Sequence, residues 1–139
     1  MAEDCIFCKI ANKIIPARVI YEDAEFMIIM DRFPWAEGHT LIILKRHAET
    51  VFELSDDECR KLSVLIRRSA IAIIESLKPD GLNVIQNNGE AAGQSVRHFH
   101  AHLIPRYERD GINITFPPND PPPEKFEKVL SAIKTRFNT

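Results

Sequence analysis

The stretch "GQSVRHFHAHLIPRY", Gly93 to Tyr107, sets three histidines at alternate positions, His98, His100 and His102, with apolar residues between and after them. The chain has five histidines, so more than half fall within five residues. Successive strand residues point to opposite faces, which puts the three imidazoles on one face and Phe99, Ala101 and Leu103 on the other. The apolar set can pack on a core, leaving the imidazoles facing a cleft. No packing need asks for three of them in register. Reach disfavours one ion held by all three. At about 3.3 Å per residue, His98 and His102 start roughly 13 Å apart, whereas zinc ligands lie about 2 Å from their ion. The three rings must divide their labour.

The preceding loop, "NNGEAAGQS", offers the amides of Asn87, Asn88 and Gln94, the hydroxyl of Ser95, and Gly89 and Gly93. Glycines let backbone N–H groups approach an anion closely. Taken alone the segment is a hairpin loop turning at Asn88–Gly89; beside three histidines it reads as a phosphate cradle.

Working outward, "LNVIQ" before the loop is a strand, and 96–105 is its partner. Residues 17–21 and 26–30 form a strand pair joined by the acidic turn Glu22–Glu25, and 38–45 is a strand whose continuous apolar run predicts burial on both faces. "SDDE" at 55–58 is a capping box opening a helix that runs to about Leu77, where "KPDG" stops it. Pro121–Pro123 set the start of a last amphipathic helix, 124–137, with Phe126, Val129, Leu130, Ile133 and Phe137 on one side. Five short antiparallel strands, one long helix and a terminal helix make an α+β pattern.

The 139 residues fit one domain, with a core of about 5–107 and a C-terminal extension, 108–139. A net charge of −2 supplies no basic field of the kind nucleic-acid binders carry, so any anion must be held by local groups. No apolar leader and no run near the ~20 residues of a membrane span is present, and three cysteines do not make a disulfide framework. The expected location is the cytoplasm.

"HFHAHLIP" preceded by "GQS" closely resembles the histidine triad (HIT) family of nucleotide hydrolases and transferases. "CIFCKIANKIIPARVIYED" and "DRFPWAEGHTLIILKRH" resemble its N-terminal and central segments, and "PRY" its bacterial nucleotide-binding (Hint-like) branch. Leu44 departs from the pattern, standing where many members have proline. The resemblance implies a HIT-like five-stranded antiparallel sheet and a homodimer joining two sheets into ten strands. It implies attack on the α-phosphorus of purine nucleotides by His100, through a covalent nucleotidyl-histidine. A neutral imidazole is a fit nucleophile near neutral pH. His102 then touches the transferred phosphate, and Gln94 and Ser95 contact phosphate oxygens and help supply a proton to the leaving group. Gly93 and Asn87 line the phosphate, Asp31 accepts from the ribose hydroxyls, and Ile6, Phe7, Ile10 and Ile29 form an apolar slot for the base. The implied activity is phosphoramidase-like; the alternatives are a dinucleoside polyphosphate (diadenosine polyphosphate) hydrolase, or a zinc-stabilised nucleotide-binding scaffold with little turnover.

"CIFC", Cys5 to Cys8, lacks the preceding strand of a thioredoxin-like redox motif and reads better as a zinc half-site, with His47 and His98 available to complete it. Bacterial relatives with this pair bind zinc, which implies a closed structural site of Cys5, Cys8, His47 and His98, one zinc per chain. Cys59 reads as a packed helix residue, and His39 as a hydrogen-bonded structural histidine.

Overall fold

The computed structural model describes residues 2–139. Its elements are α1 (Ile6–Ala11), β1 (Val19–Glu22), β2 (Phe26–Met30), β3 (Thr40–Leu44), α2 (Asp56–Leu77), β4 (Gly81–Gln86), β5 (His100–Arg106) and α3 (Pro123–Phe137), with single 3-10 turns at Val51–Glu53 and Glu90–Ala92. The strands form one sheet in the order β1-β2-β3-β5-β4, every neighbouring pair antiparallel. The expected α+β architecture stands, with one helix more than the sequence suggested.

Two hairpins build the first half. The turn between β1 and β2 closes on Asp23, whose Oδ1 accepts from the Glu25 and Phe26 amides at 2.8 Å each. After β3 the chain crosses one face as α2 and returns as β4, and β5 then fills the place between β3 and β4. The strand order therefore carries the histidine strand to the interior of the sheet. The expected burial of β3 on both faces holds, all five residues being buried.

The sheet has two apolar faces. On one, Phe26, Ile28, Ile42, Leu44, Phe99, Ala101 and Leu103 pack with Leu62, Leu65 and Ile73 of α2. Each fully buried large aliphatic side chain there stabilises the fold by roughly 1.5–3 kcal/mol. On the other, Met27, Ile29, Leu41 and Ile43 pack with Phe7 and Ile10 of α1. Helix α2 opens on the capping box read from sequence: Ser55 Oγ accepts from the Glu58 amide, and the Glu58 carboxylate accepts from the Ser55 amide. It ends at Leu77, as expected of the "KPDG" stop. Lys78 caps it in the left-handed conformation, at φ 50°, and Gly81 opens β4.

Helix α3 forms where the proline run and the apolar spacing placed it, but its apolar side chains Phe126, Val129, Leu130, Ile133 and Phe137 all stay exposed. Among the described residues, no helix is long and apolar enough to cross a membrane.

Candidate active site and metal centre

The register of β5 on β3 builds the site. His100 pairs with Ile43 and His102 with Leu41, so both imidazoles lie on the α1 face, while Phe99, Ala101 and Leu103 fill the α2 face. The alternation read from sequence holds here. His98 departs from it. The strand begins at His100 rather than at 96, because the His98 amide turns back onto the Val96 carbonyl at 2.9 Å and leaves the ladder. The bend is anchored by the Phe99 amide on the Ala48 carbonyl, 2.6 Å.

Each triad ring has its own partners. His98 is fully buried, with Nε2 2.5 Å from the Leu44 carbonyl oxygen. A carbonyl only accepts, so Nε2 carries the proton and the Nδ1 lone pair is free. That Nδ1 lies 3.2 Å from Cys5 Sγ and 3.5 Å from Cys8 Sγ. His100 Nδ1 lies 2.7 Å from the carbonyl oxygen of His98, so it is Nδ1 that holds the proton and Nε2 that keeps the lone pair. His102 Nδ1 meets His39 Nε2 at 2.9 Å. Phe7 stands edge-on to His100 with ring centroids 4.9 Å apart, and Trp35 stacks on His102 at 5.2 Å and 13°. His100 and His102 are buried but not sealed, with 6% and 8% exposure.

Burial governs the charge of these rings. It lowers the pKa of His98 and of His100, the latter against the opposing pull of its bond to the His98 carbonyl and the Asp31 charge. His102 is pushed down to about 4, by burial first and then by repulsion from His100 and His39. All three rings are neutral at pH 7.

Asp31 follows β2 directly. Its Oδ1 accepts from the Phe33 amide at 2.8 Å, and Oδ2 lies 3.5 Å from His39 Nε2. Asp31, His39 and His102 thus bring three donor atoms together. The imidazole nitrogens face each other at hydrogen-bond distance, and His39 is the hydrogen-bonded structural histidine expected of it.

The loop between β4 and β5 is held from inside. Gln94 is buried: its Oε1 accepts from the Gly89 amide at 2.7 Å, and its Nε2 donates to the Glu49 carbonyl at 2.7 Å and to the Val96 carbonyl at 3.1 Å. In this arrangement its amide braces the loop rather than projecting from it. Ser95 is exposed, and Asn87 Nδ2 reaches the Gly93 carbonyl at 3.4 Å. Gly89 and Gly93 take φ of 92° and 87°, conformations that only glycine adopts readily. Of the apolar set, Phe7, Ile10 and Ile29 are buried, and Ile6 is 46% exposed.

Cys5, Cys8, His47 and His98, the set the resemblance implied, come together as a group that could hold a metal ion. Cys5 caps α1, Cys8 lies within it, and His47 follows β3; their donor atoms and that of His98 all lie within 4.8 Å of one another. Cys8 Sγ is 3.4 Å from His47 Nδ1. Two thiols and two imidazole Nδ1 atoms facing inward match the S2N2 chemistry of structural zinc, and the Leu44 carbonyl on His98 Nε2 is the orienting bond that metal-bound histidines require. Burial raises the Cys8 thiol pKa, so a cation here would offset the cost of its ionisation.

Sequence reasoning missed α1 and the role of Trp35, whose ring stacks on His102 and whose amide meets His39 Nδ1 at 3.1 Å. Six residues are too few for a periodic signal, and a lone tryptophan in a turn carries none.

Comparison with known proteins places this geometry in context. A family profile described as "HIT domain" matches residues 12–109. "Protein hit" of Bacillus subtilis is 41% identical over 139 residues, spanning 98% of this chain and 96% of that one. "Adenosine 5'-monophosphoramidase hnt1" of Schizosaccharomyces pombe is 36% identical over 134 residues, 96% and 98% of the two chains. "Adenylylsulfatase HINT3" of Arabidopsis thaliana is 38% identical over 110 residues, 79% and 56%. Among solved structures, a HIT family member from Bacillus subtilis superposes with a TM-score of 0.90 at 40% identity, covering 96% of this chain and 97% of that one. A Zn-bound histidine triad family protein from Mycobacterium smegmatis does so with a TM-score of 0.71 at 35% identity, covering 97% and 96%.

Proposed function

Because the chain belongs to the HIT domain family, we propose that it hydrolyses purine nucleotides at the α-phosphorus, with a phosphoramidate as the favoured substrate class and His100 as nucleophile. One observation carries the reading: the His98 carbonyl accepts a hydrogen bond from His100 Nδ1–H and leaves the Nε2 lone pair for attack. His100 Nε2 forms a bond to phosphorus as the bond to the leaving group breaks, and the leaving amine takes up a proton. Water then attacks the same phosphorus, the P–N bond to His100 breaks, and the nucleoside monophosphate departs.

The surroundings support each part. The glycine-bearing loop 87–95 supplies N–H donors for the equatorial oxygens, with Gln94 bracing it and Ser95 exposed for the leaving side. His102 contacts the phosphate. Asp31 keeps a carboxylate oxygen for the ribose hydroxyls while its other oxygen accepts from the Phe33 amide. Phe7, Ile10 and Ile29, with the partly exposed Ile6, offer an apolar wall for the base. The fission-yeast relative's name favours the phosphoramidate over a dinucleoside polyphosphate.

Cys5, Cys8, His47 and His98 would hold one zinc ion, which ties α1 to β3 and β5 and leaves the reacting atoms to the protein. A homodimer is part of the same reading: β4 is a sheet edge carrying the exposed Val84, and α2 also exposes Val64, Ile71 and Ile74.

Turnover of purine nucleoside phosphoramidates, dinucleoside polyphosphates and nucleotidyl sulfates on one preparation tests the substrate class. The phosphoramidate should have the highest kcat/KM; a higher value for a dinucleoside polyphosphate would reassign it.

A further inference from the structure

We infer that His39 is a positioning residue that fixes the tautomer of His102, so that His102 presents a proton on Nε2 to the phosphate. The inference rests on the function proposed above, and it starts from a chain of hydrogen bonds that runs through two buried rings.

The chain begins at a donor of known polarity. The Trp35 amide can only donate, and it lies 3.1 Å from His39 Nδ1. A neutral imidazole has one N–H and one lone pair, so His39 accepts at Nδ1 and carries its proton on Nε2. That Nε2 is 2.9 Å from His102 Nδ1, and it also faces Asp31 Oδ2 at 3.5 Å. His102 therefore accepts at Nδ1, and its own proton sits on Nε2. The reverse polarity would set two hydrogens against each other between Trp35 and His39, and would turn the His39 lone pair toward the Asp31 carboxylate. His39 is fully buried, and burial lowers its pKa against the Asp31 charge, which keeps the ring neutral and the polarity single-valued.

The result is opposite tautomers on adjacent inward positions of one strand. His100 is held with a bare Nε2 by a backbone carbonyl. His102 is held with a protonated Nε2 by a backbone amide acting through His39. A nucleophile and a phosphate-facing donor thus stand with ring centroids 4.9 Å apart, neither needing a charge at neutral pH. Stacking of Trp35 on His102 limits rotation of that ring, so one loop, 31–39, sets both its proton and its plane. Such a donor is worth most when negative charge spreads over the phosphate oxygens, so its loss falls on turnover more than on binding.

The test uses the full-length protein. Long-range proton–nitrogen spectra of the 15N-histidine-labelled wild type should show His102 protonated on Nε2 and bare on Nδ1, with His39 likewise; a proton on His102 Nδ1 overturns the inference. Two variants then separate positioning from mere packing. His39→Leu fills the space without a donor, whereas His39→Gln returns an amide N–H near the position of Nε2. His39→Leu should lower kcat on a purine nucleoside phosphoramidate by about a hundredfold, the scale of losing one transition-state donor. KM should move by less than about threefold, as for an interaction made mainly in the transition state. His39→Gln should recover most of the loss. Equal damage in both variants, or an undiminished kcat in His39→Leu, overturns the assignment. A wild type without any turnover would contradict the proposed function instead, and the spectra would still decide the tautomer.

Discussion

His98 Nδ1 faces Cys5 Sγ at 3.2 Å while the carbonyl oxygen of the same residue lies 2.7 Å from His100 Nδ1. One residue joins the thiol cluster with its ring and the proposed nucleophile with its backbone. The bend that removes His98 from the strand ladder makes both possible.

Purified protein should accordingly carry one zinc per chain. Cys5→Ser with Cys8→Ser should release it and lower the melting temperature, because the binding energy of a closed structural site is folding energy. Metal analysis and thermal unfolding check this. Metal-free wild type with the stability of the double variant would contradict the site.

Asp31→Asn keeps the shape but removes the charge that strengthens an acceptor, whose hydrogen bonds are worth roughly 1.5–3 kcal/mol. Nucleotide affinity should fall about tenfold, and calorimetry with dideoxyribose analogues should show a smaller penalty. Asp31 also faces His39, so an equal penalty for both sugars would assign it to the histidine network rather than to the ribose.

Glu58 accepts from Arg46 Nε and Nη2 at 2.7 and 2.8 Å, and that pairing first, against some desolvation, lowers its pKa to about 2. The folded state binds this proton less readily than the unfolded chain, so the contribution is complete above the ordinary glutamate range. It is lost as pH falls from about 4.5 toward 2. Because Arg46 is half exposed, it amounts to roughly 1–2 kcal/mol after screening. Denaturant unfolding of wild type and Glu58→Gln should differ at pH 7 and converge across that window. A difference independent of pH would contradict the pairing.

Gly38 sits at φ 90°, and an added Cβ would lie 2.3 Å from Leu77 Cδ1 and 3.1 Å from Pro105 Cγ. Gly38→Ala should cost about 1–3 kcal/mol, from backbone strain and displacement of the α2 terminus. An unchanged melting temperature would show that the turn before β3 is not constrained as described.

The parts legible in sequence are those with a strong local signal. Alternation in "HFHAH" assigned His100 and His102 to one face and Phe99 and Ala101 to the other, and "SDDE" announced the Ser55–Glu58 box. The C-x-x-C read as a metal half-site, and the resemblance to zinc-binding relatives implied His47 and His98 as its partners. What escaped depends on tertiary structure. Helix α1 is held by Phe7 and Ile10 against the sheet, and six residues have little helical tendency alone. The late start of β5 depends on Leu44 and Ala48, which are distant in sequence, Leu44 by 54 residues from His98. The bracing of Gln94 by Glu49 and Gly89, and the contacts of Trp35 with His39 and His102, likewise have no local pattern behind them.

Burial holds His100 and His102 neutral, His102 down to about 4, so the acid limb of kcat/KM should lie below the ordinary histidine range. A limb above it would mean that a charged imidazole is the stable form in the site.

The nucleophile itself is the central claim. Rapid mixing of the enzyme with a purine nucleoside phosphoramidate, acid quenching and peptide mass analysis would locate any covalent adduct. A nucleotidyl group on His100, absent from His100→Gly protein that still binds nucleotide, is the predicted result; a nucleotidyl group on an aspartate, serine or cysteine, or turnover by His100→Gly, would contradict the account.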